Sequence, residues 1–172
     1  MMNIYLSYQL NAIVRIAVPS ALLVFLVLLS IVPFHLPGYP QVAPNLLLMA
    51  VFFWAVHRSE LFPVVMVFFV GLLQDILVGM PLGFSVIILI LIRTLAVSQR
   101  RVFFGKSFLM LWWGFGLVAC LAAFGLWILT IIYHQSLLDP RPILFQAALT
   151  IAIFPFASWF FAWVNQKIFS KI

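Results

Sequence analysis

The chain has 172 residues, 67% of them hydrophobic and only 7% charged, with a mean hydropathy of +1.27. Soluble domains carry about 25% charged residues, so this composition excludes a water-soluble fold and makes a bilayer the expected solvent. The net charge of +6 comes from nine basic residues scattered at segment ends without a basic run, a pattern that encodes membrane topology rather than nucleic-acid binding.

Each crossing takes about 20 apolar residues, so the length has room for about five to seven spans and no separate extramembrane domain. The stretch Met1 to Arg15 is polar and weakly amphipathic, and no small-residue cleavage pattern follows it, so the first apolar segment is expected to be a retained helix. That segment runs from about Ile16 to Val32. The loop from Pro33 to Pro40 holds three prolines and a glycine, which exclude helix. Segment two covers about Pro44 to Val56, and His57-Arg58-Ser59-Glu60 leaves space only for a tight turn before segment three, Leu61 to Leu77. These two are expected to form a helical hairpin. Gly79-Met80-Pro81-Leu82-Gly83 then breaks the chain. Segment four follows from Phe84 to Val97, segment five from Phe108 to Tyr133, and segment six from Ile143 to Val164, with Pro155 inside it as a tolerated kink. The reading is an all-α membrane protein, a single transmembrane domain over residues 1–172 with six helices.

The positive-inside rule tests this parse independently. Arg15, Arg58, Arg93, Arg100, Arg101, Lys106, Lys167 and Lys171 fall on one side, and Arg141 alone falls on the other. Both termini are therefore expected in the cytoplasm. Trp112 and Trp113, and Trp159 and Trp163, fall near the same predicted interface, where indole rings anchor a helix. The basic loop of Arg93, Arg100, Arg101 and Lys106 suits anionic lipid headgroups or the acidic face of a cytoplasmic partner.

Two ionisable side chains lie within the predicted spans, Asp75 near the outer end of segment three and Arg93 near the inner end of segment four. The two segments run antiparallel, so the charges sit at opposite ends and are not expected to pair. Arg93 can snorkel to the headgroups. Asp75 sits at a helix C-terminus, where the macrodipole disfavours a carboxylate, so something else must hold it. Gly71, Asp75 and Gly79 share one helical stripe that lets another helix approach closely. The stripe reads as a helix-contact site first, with ligand contact or a merely solvated carboxylate as alternatives. Segment five is likewise rich in small residues, including Gly114, Gly116, Ala119, Ala122, Ala123 and Gly125, and suits close packing.

Catalysis needs a nucleophile with its base, paired carboxylates or a metal. Asp75 and Glu60 fall on opposite predicted faces, Cys120 is the single cysteine and lies in an apolar run, and His35, His57 and His134 occupy three different loops. No enzyme, metal site or cofactor is expected.

The run Gly71-Leu72-Leu73-Gln74-Asp75-Ile76-Leu77-Val78-Gly79-Met80-Pro81-Leu82-Gly83, and upstream Pro44-Asn45 leading into Phe53-Trp54-Ala55, resemble the rod shape-determining MreD family. Residue-level likeness covers about residues 44 to 90, while size and six-span layout agree across nearly the whole chain. The resemblance implies a subunit of the elongasome in the bacterial inner membrane. It would bind MreC and, through it, link MreB filaments to RodA and a penicillin-binding transpeptidase during lateral peptidoglycan synthesis. It also implies a fold similar to the substrate-binding subunits of energy-coupling-factor vitamin transporters, and it leaves room for a homodimer. Pro44, Asn45, Gly71, Asp75, Gly79, Pro81 and Gly83 are its signature positions, expected to serve structure and partner contact. The rival reading is the vitamin-importer subunit itself, which would need polar and aromatic groups converging on an outward pocket.

Overall fold

The computed structural model describes residues 21–29, 43–103, 107–136 and 139–169. Among these the regular structure is helical. Residues 21–29 form α1, followed by α2 (Leu46–His57), a 3-10 turn (Ser59–Leu61), α3 (Val64–Val78), α4 (Phe84–Ser98), the short α5 (Arg100–Phe103), α6 (Phe108–His134) and α7 (Arg141–Phe169). The flanks of the first predicted segment, the proline-rich loop with His35, and Arg15, Lys106 and Lys171 lie outside the described residues.

Helix α2 is apolar on every side, and such a helix is stable only when surrounded. The ten consecutive residues Leu47 to Val56 are all buried. Their neighbours are chiefly α4 and α7. The expected hairpin of segments two and three is therefore corrected. The turn between them is tight, yet α3 packs mainly on α4, because α2 needs partners all round and α3 turns its small-residue stripe elsewhere. In mid-bundle Phe52 lies 5.3 Å from Phe115, whose ring stacks on Phe154 at 3.9 Å. At the basic end Trp54 stacks on Phe62 and meets Phe161.

Helices α6 and α7 each bury a single stripe. Leu111, Phe115, Val118, Ala119 and Ala122 face inward from α6, and Thr150, Phe154, Ser158, Phe161 and Val164 from α7. The spacings of three and four residues are those of one helical face. Large apolar side chains such as Trp113, Leu117, Phe156 and Trp159 point outward, an inside-out arrangement that suits hydrocarbon rather than water.

Helices α6 and α7 are long and apolar enough to cross a membrane, whereas α2, α3 and α4 are shorter apolar helices. At 1.5 Å per residue the 15-residue α3 and α4 reach only about 22 Å and the 12-residue α2 about 18 Å, against a hydrocarbon thickness of about 30 Å. The structure thus supplies two clear spans.

Pro155 lies inside α7 and has no N–H to give the carbonyl of Ile151 one turn earlier. The indole Nε1–H of Trp112 donates to that carbonyl at 3.0 Å. Of the four tryptophans expected as interface anchors, Trp113, Trp159 and Trp163 are exposed, but Trp112 turns inward to fill the gap that proline leaves. Trp112→Phe is therefore expected to cost about 1 to 3 kcal/mol for the orphaned carbonyl. In a Pro155→Ala background a backbone N–H returns, and the same substitution should cost much less. A double-mutant cycle read by thermal melting in detergent checks the coupling; equal costs in both backgrounds would show that the indole bond does not serve the proline gap.

Candidate functional site at the Asp75 end of the bundle

Asp75 is fully buried, near the last turn of α3. One carboxyl oxygen accepts the Gly83 N–H at 2.7 Å and the other the Ser85 N–H at 3.0 Å. These donors belong to the first turn of α4, where four backbone N–H groups lack helical partners and the dipole is positive. The carboxylate that its own helix disfavours is thus stabilised by the next one. Asp75 works as an N-cap supplied from a distance, in a place where α4 begins with glycine and has no side-chain cap of its own.

The turn between the helices is built to deliver this contact. The Asp75 carbonyl accepts the N–H groups of Gly79 and Met80. Gly79 is left-handed at φ 74° and Gly83 at φ 101°, conformations that cost an ordinary L-residue roughly 1–2 kcal/mol. Pro81 stiffens the loop between them, and its carbonyl accepts the Phe84 N–H at 3.3 Å. One turn below Asp75, Gly71 touches α4 directly: a Cβ placed there would lie 3.0 Å from Val86 Cα and 3.2 Å from Val86 N. Of the stripe expected to meet another helix, Gly71 and Asp75 meet α4 of the same chain, whereas Gly79 is exposed, with nothing within 4 Å of a Cβ placed on it.

The Pro44-Asn45 pair starts α2. Asn45 caps it, its Oδ1 accepting the Leu48 N–H at 3.0 Å. Its own N–H donates to Thr150 Oγ1 of α7 at 3.1 Å, and Thr150 in turn donates to the Gln146 carbonyl at 2.6 Å. Gln146 Nε2 donates to the Ala43 carbonyl at 2.9 Å. Two polar side chains four apart on α7 therefore hold the start of α2. They lie one helical turn apart on a helix that also carries Ser158, Asn165, Gln166 and Lys167, so nothing local marks them out. Beside this network lies a cavity of about 50 Å³ lined by Asn45, Gln74, Ser85, Gln146 and Thr150 together with aliphatic residues of α2, α4, α6 and α7. Gln74 Oε1 faces no hydrogen-bond partner among the described residues.

At the opposite end Arg93 Nε donates to the Phe62 carbonyl at 2.7 Å and Arg100 Nη1 to Ser59 Oγ at 3.1 Å. Arg93 and Asp75 serve separate sites, one at each end of the helix pair. Arg93 acts first as a backbone clamp on the turn before α3. Arg101 is exposed, the Lys167 ammonium lies 4.4 Å over the Trp163 ring, and Lys106 lies outside the described residues. Among the described residues no three His, Cys, Asp or Glu side chains gather. The arrangement performs capping, clamping and close packing.

A family model described as rod shape-determining protein MreD matches residues 11–166. No curated protein matches the chain, and no solved structure does.

Proposed function

Since this chain belongs to the MreD family of rod shape-determining proteins, we propose that it is a non-catalytic scaffold subunit of the elongasome, crossing the bacterial inner membrane several times with both termini in the cytoplasm. In this reading it binds MreC and through it works alongside MreB, RodA and a penicillin-binding transpeptidase in lateral wall synthesis. The supporting observation is that the signature residues serve architecture. Asp75, Gly79, Pro81, Gly83 and Asn45 are engaged in caps and turns within the chain, and Gly71 in a close helix contact. The basic side chains at the Arg93 end suit the cytoplasmic face, and α2 to α4, being short, would sit in a locally thinned bilayer or share it with partner helices.

The vitamin-importer reading, and with it the transporter-subunit fold, gains little from the cavity. Its volume of about 50 Å³ falls well below the roughly 300–1,000 Å³ of small-molecule sites. Broad apolar grooves instead line α6 and α7, the kind of surface on which a scaffold meets hydrophobic partners. Affinity purification of the tagged protein in mild detergent, with mass spectrometry of co-eluting membrane proteins, tests the proposal. Recovery of MreC is expected. Recovery of transporter ATPases and their membrane coupler in its place would overturn the scaffold reading.

A further inference from the structure

At the Asp75 end α4 stops short of its neighbour α6. Gly125 of α6 meets Ile88 of α4, where a Cβ on the glycine would lie 2.9 Å from the isoleucine Cδ1. From that level α6 climbs on to His134, about 13 Å, whereas α4 has only the distance from Ile88 back to Phe84, about 6 Å. The α3–α4 turn therefore begins roughly 7 Å below the end of α6. Helical side chains lean toward their own N-terminus, so Tyr133 reaches down and Phe84 reaches up, and their rings meet at 5.8 Å across the step. Ile132 and Tyr133 remain 67% and 61% exposed. Apolar surface, and with it the hydrocarbon, thus continues to the end of α6.

The turn itself is built for that depth. From Ile76 to Phe84 no side chain is polar, and Ile76, Val78 and Leu82 are 59%, 50% and 66% exposed. Hydrocarbon offers the backbone no hydrogen bonds, so a turn placed in it must satisfy its own N–H groups. The Asp75 carbonyl takes those of Gly79 and Met80, and its carboxyl oxygens take those of Gly83 and Ser85. The Pro81 carbonyl takes that of Phe84, and Pro81 itself has none. Only the Leu82 N–H is left over, and a lipid ester carbonyl can accept it. A turn in water would need no buried carboxyl group to receive its donors.

We infer that the α3–α4 turn is immersed in the leaflet at the Asp75 end, beneath the headgroups, with lipid acyl chains against Ile76, Val78 and Leu82 and the Asp75 carboxyl group in the place of water. Helices α3 and α4 then form a re-entrant hairpin that enters and leaves at the Arg93 end. Both ends of such a hairpin lie on one side, so the one-sided placement of the basic residues is unchanged. A soluble domain cannot reach Gly79, Pro81 and Gly83 at that depth; a partner that touches them does so from within the membrane. The inference concerns the bilayer and is independent of which proteins the chain binds.

The test places the full chain in phosphatidylglycerol nanodiscs, which open both membrane faces to solvent, with one nitroxide at a time. The label sits on native Cys120, exposed midway along α6, or, in a Cys120→Ala background, on Leu82→Cys, Val78→Cys or Ser136→Cys. Helicity and melting confirm that each variant folds, and either Leu82→Cys or Val78→Cys carries the comparison alone. Power saturation with oxygen, which concentrates in hydrocarbon, and with a water-soluble nickel chelate reports what surrounds each label. Ser136, exposed beyond the end of α6, is the aqueous reference and Cys120 the lipid one. The labels on Leu82→Cys and Val78→Cys are expected to relax with oxygen, as at Cys120, and to lose the nickel effect seen on Ser136→Cys. Nickel access equal to that on Ser136→Cys would mean that the bilayer thins to meet the turn, and immersion would be wrong. Labels closed to both reagents would put protein rather than lipid on the turn, and would sink the inference equally. Adding Asp75→Leu leaves the Gly83 and Ser85 N–H groups without their acceptor, so water should enter and nickel access on Leu82→Cys should return. Access unchanged in the folded double variant would show that Asp75 does not stand in for water; Asp75→Asn, the milder change, carries this arm if the leucine variant fails to fold.

Discussion

Asp75→Leu is expected to lower the melting temperature of the detergent-solubilised protein by on the order of 10 °C. The carboxyl group is fully buried and takes two N–H donors of α4, at 2.7 and 3.0 Å. Hydrogen bonds to charged groups contribute about 1.5–3 kcal/mol each, and a buried donor left unpaired adds a desolvation cost. A net loss of about 3 kcal/mol corresponds to roughly 6–12 °C for a domain of this size, at about 2–4 °C per kcal/mol. Asp75→Asn keeps one acceptor oxygen but turns an NH2 toward the second backbone donor, so it should fall between the native protein and the leucine variant. A leucine variant melting within about 2 °C of native would show that the remote cap contributes little. Any loss of partner binding in an Asp75 variant has to be read with this in mind, because the contact holds the α3–α4 pair together from inside.

Gly71 and Gly125 should respond in opposite directions to the same added methyl group. At Gly71 the new Cβ meets Val86 backbone atoms at 3.0 and 3.2 Å, so α4 as a whole must move away. At Gly125 the nearest atom, at 2.9 Å, is the Cδ1 of Ile88, the far end of a side chain that can turn aside. Replacing a helical glycine by alanine favours the helix by about 1 kcal/mol, while overpacking costs about 1–3 kcal/mol. Gly125→Ala is therefore expected to be neutral or stabilising. Gly71→Ala should be destabilising by about 1 kcal/mol, and Gly71→Leu should reach the upper end of the overpacking range or beyond it. Parallel melting curves of the three variants decide the matter; a Gly71→Leu protein as stable as native would mean that the two helices have room between them.

The α3–α4 turn was the most legible part of the site. Glycines flanking Met80-Pro81-Leu82 announce a break, and both prove left-handed, a property of backbone sterics that needs no tertiary information. Asp75 was legible as a problem, a carboxylate at the unfavourable end of its helix, but its answer lay ten residues away in the Ser85 N–H. The Asn45–Thr150 bond spans 105 residues and carries no local signal at all. Trp112 looked like its neighbour Trp113, and only the position of Ile151 across the helix interface separates a packed indole from an exposed one.

What the amino-acid sequence by itself determined is the solvent, the helical class and the break between α3 and α4, since these follow from side-chain polarity and from the backbone limits of proline and glycine, which act within a few residues. It also carried the family likeness that the match over residues 11–166 bears out. The tertiary structure alone decided which helices meet. In a chain this apolar nearly every face can pack on any other, so hydrophobicity does not choose partners. The choice falls to a few polar groups and glycines whose hydrogen bonds and close contacts are satisfied in one arrangement: Asp75 on α4, Asn45 on Thr150, Trp112 on the carbonyl that Pro155 leaves open, and Gly71 against Val86.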